Sequence, residues 1–270
     1  HTRSDPDMKT PLPPLPDRVN RECLPAERDK GNSWLDAVLG FVYPETCQVC
    51  HIVRSRARDG FVCDSCRRSV RFIEAPLCDK CGLPFSGEIT SRFECGNCRG
   101  IQLHFDHARS AVEAKGLVLD VLHRYKYNRA LWFEPFLARL LIARCQPALQ
   151  TEGCDLIVPV PLHPLKQRER EYNQAERLAN RLSDATQIPT DPKLLRRTVH
   201  TATQTRLSRS QRARNVRRAF ALTRQTRLEG RRILLVDDVL TTGATASACA
   251  IALREAGAGH VSVWTVARGT

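Results

Sequence analysis

Two groups of residues in this 270-residue chain have types and spacings suited to chemistry. The first is a set of eight cysteines in four CxxC pairs: Cys47 and Cys50, Cys63 and Cys66, Cys78 and Cys81, Cys95 and Cys98. Two residues between thiolates let both bind one ion from a tight turn, and two such turns complete a tetrahedral site. Four pairs at near-regular spacing point to structural zinc, with an iron–sulfur cluster or a redox relay as alternatives. An all-thiolate zinc site has no open position and would hold the chain together rather than catalyse. Gly82, after the third pair, and Gly96, inside the fourth, are expected to supply backbone freedom at the knuckles. The spacing leaves open whether one or two ions are held and whether the pairs interleave; joining in order, first with second and third with fourth, is the expectation because it closes the shorter loops. Cys23, Cys145, Cys154 and Cys249 lack such partners and read as tail or core residues.

The second group lies in residues 232–246, RILLVDDVLTTGATA. An apolar run ends in two adjacent carboxylates, Asp237 and Asp238, and passes through a Thr- and Gly-rich turn toward a helix. Free backbone N–H groups and the positive dipole end make a helix start a phosphate site. Thr241, Thr242 and Thr245 add hydroxyl donors, and Gly243 lets the backbone approach an anion. Carboxylates beside a phosphate cradle are tolerable only if they accept hydroxyl hydrogens or face a cation. A ribose 5-phosphate meets that requirement. The chain has no GxxxxGK[ST] and no GxGxxG after a strand, which disfavours ATP or dinucleotide use.

These residues need a scaffold. Alternating strand and helix patterns begin after residue 106: strands at 108–114, 155–160, 232–236 and 261–266, with a weaker one at 193–199. Helices are expected at 117–125, 131–145, 173–185 and 244–256, and a short one at 34–40 capped by Ser33. Strand 232–236 is unbroken apolar, as in the centre of a parallel sheet, and ligands of such sheets bind beyond the carboxyl ends of the strands. The expected organisation is a proline-rich disordered tail over 1–30, a Cys-rich zinc-binding domain over 31–105, and a doubly wound α/β domain over 106–270.

Charge narrows the partners. The net charge is +13, and residues 193–232 hold 13 Lys or Arg against one acidic residue, Glu229. A phosphate, nucleotide or nucleic-acid partner is expected, although a solvated basic face would look the same. That window has one aromatic, Phe220, too few for a dedicated single-strand stacking platform. The longest apolar candidate, 131–143, is broken by Glu134, Pro135 and Arg139, so membrane insertion is not expected. Without an export signal, a soluble, cytoplasmic protein is expected.

VDDVLTTGAT at 236–245 resembles the phosphoribosyl pyrophosphate (PRPP) motif of type I phosphoribosyltransferases. Further landmarks narrow the resemblance to the ComF family, phosphoribosyltransferase-like proteins with an N-terminal zinc finger linked to natural competence. They are CDKCGLP at 78–84, Lys126-Tyr127 in RYKYNR, VPVPLHPLKQREREYNQ at 158–174, TQTRLSRSQRARNVRRAF at 203–220 and a closing VTVAR-like strand. Glu171, Arg206 and Arg218 stand where the family usually has glycine.

The resemblance implies a type I phosphoribosyltransferase-like parallel sheet flanked by helices, preceded by the zinc-binding region. It implies PRPP with Mg²⁺ at the strand ends. Asp237 and Asp238 would hold ribose hydroxyls, and Thr241, Thr242, Gly243, Ala244 and Thr245, which follow Val239 in the same motif, would hold the 5-phosphate. Arg168 and Arg170 are candidates for the pyrophosphate, and Arg206, Arg209 and Arg212 for a closing segment. His163 is either a general acid–base or only a turn in the chain. Two functions follow: transfer of a ribose 5-phosphate group, or handling of single-stranded DNA with competence partners such as a helicase or DNA-processing protein. A sensor that binds PRPP without turnover is a third.

Overall fold

The computed structural model describes residues 45–87, 93–162, 164–198 and 219–269. The expected tail, the helix at 34–40, His163 and the segment with Arg206, Arg209, Arg212 and Arg218 lie outside the described residues.

Four parallel strands form the main sheet in the order β1-β6-β5-β2: β1 His107–Glu113, β2 Leu156–Pro159, β5 Arg232–Leu240 and β6 His260–Arg268. A short antiparallel ladder of β3 (Leu195–Arg197) and β4 (Phe220–Leu222) stands apart. Strands β5 and β6 run in register from Arg232 opposite His260 to Leu240 opposite Arg268.

The pleat divides the core in two. Ile233, Leu235, Val261 and Val263 face a helix at Ala244–Glu255, while Leu234, Val236, Trp264 and Val266 face the helices of the opposite layer. That layer holds α3 (Gly116–Tyr127), α4 (Glu134–Glu152) and α6 (Gln174–Thr186), and Ala244–Glu255 is α7. Two short helices, α1 (Asp64–Arg68) and α2 (Gly96–Arg99), belong to the Cys-rich region, and α5 (Pro164–Arg170) follows β2. With both faces covered, apolar residues are favoured at successive central positions, which explains the unbroken buried run from Ile233 to Val236 in β5.

Several boundaries differ from expectation. Helix α4 runs to Glu152, past Pro147, because its last turns bury Leu149 and set Glu152 Oε2 3.2 Å from His107 Nε2. Tertiary contacts outweigh the missing proline N–H there. Strand β5 continues to Leu240, so Asp237 and Asp238 sit within the ladder rather than after it, Asp237 opposite Thr265. The weaker strand is only three described residues long. Asn173 caps α6, accepting the Ala175 N–H at 3.1 Å while its Nδ2 donates to the Val160 carbonyl at 3.1 Å. Glu134, 4% exposed, accepts from Arg177 Nε and, at 2.7 Å, from Arg181 Nε, tying α4 to α6.

Both sheet edges are covered, so no row of open backbone groups is left for stray pairing. On β1, the Ile73 N–H donates to Ala111 O (3.0 Å), the Glu113 N–H to Arg71 O (3.2 Å) and the Ala108 N–H to Lys80 O (2.8 Å). On β2, the Ile157 N–H donates to Pro189 O (2.9 Å) and the Asp191 N–H to Ile157 O (3.0 Å). The Cys-rich region thus supplies the outer partner of the sheet.

Candidate functional site

The eight cysteines converge as two clusters, Cys47/Cys50/Cys63/Cys66 and Cys78/Cys81/Cys95/Cys98, the sequential pairing that short loops favour. Four sulfurs about 2.3 Å from one zinc ion lie about 3.8 Å from each other along the edges of a tetrahedron. The sulfur separations are 3.8 Å for Cys47–Cys66 and Cys50–Cys63, 3.8 Å for Cys78–Cys98, 3.6 Å for Cys81–Cys95 and 3.7 Å for Cys95–Cys98. The donor set and its spacing therefore fit one tetrahedral zinc per cluster, a structural role. Backbone N–H groups of Cys63 and Cys95 donate to the sulfurs of Cys47 and Cys78, each at 3.3 Å, the outer-shell bond that steadies a metal-bound thiolate.

Gly82 adopts φ +66°, and a Cβ there would lie 2.6 Å from the Ala108 carbonyl, so glycine is required where the third knuckle crosses β1. Gly96 needs no such freedom: it opens α2 with open space around it. Cys145 and Cys249 are core residues whose burial pushes their thiols up, Cys154 is half-buried, and Cys23 lies outside the described residues.

At the carboxyl end of β5, strand alternation sends the two aspartates to opposite faces. Asp238, 6% exposed, places Oδ1 2.8 Å from Lys126 Nζ on α3. Asp237 turns toward the α7 layer, and its Oδ1 accepts the Asp238 N–H at 2.8 Å. Burial, and next the Asp238 charge beside it, push the Asp237 carboxyl up to about 8, although Lys126 pulls the other way. Lys126 thus pairs with one carboxylate while the neighbouring Asp237 keeps a proton near neutrality. Such a dyad can accept from one hydroxyl and donate to or accept from another.

Val239 is half-buried, Thr241, Thr242 and Ala244 are exposed, and Thr245 is partly exposed. Gly243 takes φ +77° as the cap of α7, seated on the ring of Phe105 and the side chain of Leu103. The twelve-residue α7 therefore begins beside exposed threonine hydroxyls at the sheet end that carries the aspartates. Helix α5 leaves β2 at that same end, because Pro159 pairs with Val236. Arg168 is exposed, and the Arg170 guanidinium lies 4.8 Å from the ring centre of Tyr127. Glu171 adopts φ +67°, the conformation glycine favours, and its Oε1 pairs with Arg129 Nη2 at 2.9 Å. The residue after it, Tyr172, donates to the Tyr125 carbonyl. Arg170 and Tyr172 thus tie this segment to the end of α3.

Two residues stand out that spacing alone did not single out for a role. Lys126 meets Asp238 only because α3 packs over the end of β5, although its place in RYKYNR was visible. Arg268, 3% exposed, donates from Nη1 to the carbonyls of Leu240 (2.9 Å) and Thr241 (2.6 Å).

Residues 38–99 match the model of the double zinc ribbon domain. Competence protein F of Haemophilus influenzae is 32% identical over 222 residues, covering 77% of this chain and 97% of that protein. The DNA utilization protein YhgH of Escherichia coli is 32% identical over 228 residues, covering 83% of this chain and 97% of that protein. Among solved structures, a glutamine PRPP amidotransferase from Bacillus subtilis, in a complex with ADP and GMP, matches with TM-score 0.32 and 24% identity. That match spans 47% of this chain and 24% of the amidotransferase. Among the described residues no helix is long and apolar enough to cross a membrane. With the zinc ribbon ahead of the parallel sheet and this identity over nearly the whole length of its relatives, the chain belongs to the ComF family of competence and DNA-utilization proteins.

Proposed function

We propose that the carboxyl end of β5 binds PRPP, or a related ribose 5-phosphate, and supports phosphoribosyl chemistry in the cytoplasm as part of the handling of incoming DNA. The observation that carries this reading is the junction of the Asp237–Asp238 dyad, anchored by Lys126, with the threonine-lined start of α7. In this reading Asp237 and Asp238 bind the ribose hydroxyls. The N–H groups of Gly243, Ala244 and Thr245 and the hydroxyls of Thr241 and Thr242 hold the 5-phosphate. Arg168 and Arg170, on the segment leaving β2, face the pyrophosphate. Mg²⁺, when bound with the pyrophosphate, would neutralise negative charge on the leaving group. The protein's own part in breaking the C1–O bond is positioning and electrostatic stabilisation of a separating ion pair.

Calorimetric titration of the zinc-loaded protein with PRPP and Mg²⁺ tests this, beside the Asp237→Ala, Asp238→Ala variant. Binding lost in the variant is the expected result, and no heat from either protein refutes the reading.

A second reading, single-stranded DNA handling, is favoured by the thirteen basic residues of 193–232 and by the names of the relatives. Charge reversal at Arg209, Arg212 and Arg214 would then weaken DNA binding and flatten its salt dependence, and unchanged affinity would exclude that segment.

A further inference from the structure

Arg268 ends β6 almost fully enclosed, and among the described residues no carboxylate pairs with it. A buried guanidinium without a counter-charge is costly. The partner it does have is a metal-site sulfur: Nη2 lies 3.6 Å from Cys81 Sγ, while Nη1 holds the carbonyls of Leu240, Thr241 and Gly269. Four thiolates on one divalent ion leave the second cluster with net negative charge, the complement this cation requires. The same side chain therefore touches the cluster and the backbone where β5 turns into the phosphate-type loop.

A second strut runs in parallel. Leaving Cys98, the chain carries Leu103 and Phe105 beneath Gly243, where an added Cβ would lie 3.3 Å from Phe105 Cζ. The His104 N–H donates to Ser247 Oγ in the first turn of α7 at 3.0 Å. Lys80, between Cys78 and Cys81, donates to the Phe105 carbonyl. All four cysteines of the second cluster share one apolar core with Leu103, Phe105, Leu240 and Ala246, whereas Val62 and the half-buried Cys66 of the first cluster pack in the opposite layer.

We propose that the metal-loaded second cluster is a structural part of the loop after β5, with Arg268 the positioning residue that couples the Cys81 thiolate to the Leu240–Thr241 backbone. The first cluster has no such part. Loop order then depends on zinc in one cluster and not in the other, whether or not the loop binds a ribose phosphate.

Hydrogen exchange read by mass spectrometry on the full zinc-loaded chain tests this with Arg268→Lys, Cys81→Ser and Cys50→Ser. Lysine keeps the charge but loses the fork that reaches sulfur and carbonyls together. Arg268→Lys and Cys81→Ser should each speed exchange at residues 241–247 by about tenfold or more, with 110–112 and 262–266 unchanged. Cys50→Ser should leave 241–247 at the wild-type rate. If Cys81→Ser does not fold, chelator-driven zinc release from the Cys50→Ser protein, whose remaining ion is in the second cluster, gives the same readout: loop exchange must rise as that ion leaves. An unaltered loop overturns the proposal. So does equal acceleration across β1 and β6, which marks general loosening, or the same loop response to Cys50→Ser.

Discussion

Replacing Asp237 by asparagine should make the ligand-free protein more stable, increasingly so as the pH rises. In the folded chain this carboxyl is pushed up to about 8, from an ordinary value of about 3.9 in an unfolded chain. A group whose folded value is raised contributes its full stability below about pH 4 and loses it as the pH climbs toward 8. Over that window the loss is at most about 1.4 kcal/mol per pH unit, so between pH 6 and 8 it reaches about 2.3 kcal/mol as an upper bound. Asp237 is only half-buried, and solvent screening brings the expectation down to roughly 1–2 kcal/mol. Asparagine stays neutral and its carbonyl can still accept the Asp238 N–H, so the variant escapes the loss without dropping that bond. Urea unfolding of zinc-loaded wild type and variant at pH 6, 7 and 8 measures the difference. The gap should widen with pH while ribose-phosphate binding falls, the usual opposition between stability and a functional charge. A constant gap, or a variant that weakens as the pH rises, would refute the reasoning.

Two other substitutions probe the scaffold. Glu134→Gln removes the charge that holds Arg177 and Arg181 to α4 and should cost about 2 kcal/mol in urea unfolding, less than a fully buried pair because both arginines are half-exposed and rehydrate. At the left-handed position 171, Glu171→Gly relieves backbone strain while losing an exposed ion pair and gaining unfolded-state entropy, so its stability should stay within about 0.5 kcal/mol of wild type. Glu171→Ala keeps the strain without the pair and should fall about 1 kcal/mol below the glycine variant in the same measurement.

Much of the fold was legible because its signals are local. The CxxC spacing specified the ligands but only favoured their grouping, since loop closure costs little more for an interleaved arrangement, and the structure places the pairs in order. Strand β5 declared itself by its unbroken apolar run, and α6 by its 3.6-residue period. The misjudged boundaries share one cause, contacts with residues remote in sequence. The helix expected to end at 145 runs on because Leu149 is buried and Glu152 meets His107 of β1. Asp237 and Asp238 read as the end of a strand until Thr265 and Ala267 of β6 are seen to extend the ladder beyond them. The candidate site divides the same way. Its aspartates and threonines are contiguous and visible, whereas Lys126 and Arg268 reach it from about 110 residues upstream and from the next strand, which no local pattern encodes.

The order β1-β6-β5-β2 has a consequence for how the chain is made. The last of these four strands in chain order, β6, is an inner one: it lies between β1 and β5. Until it emerges, the nascent chain holds two half-sheets, β1 against the Cys-rich region and β5 against β2, each with a naked inner edge. Those edges are templates for pairing with a neighbouring nascent chain, and the nine-residue β6 closes both. A metal-clamped partner seated on β1, made ahead of it in the chain, leaves that strand only one edge at which to err, so zinc supply during synthesis bears on the yield of folded protein as well as on its later stability.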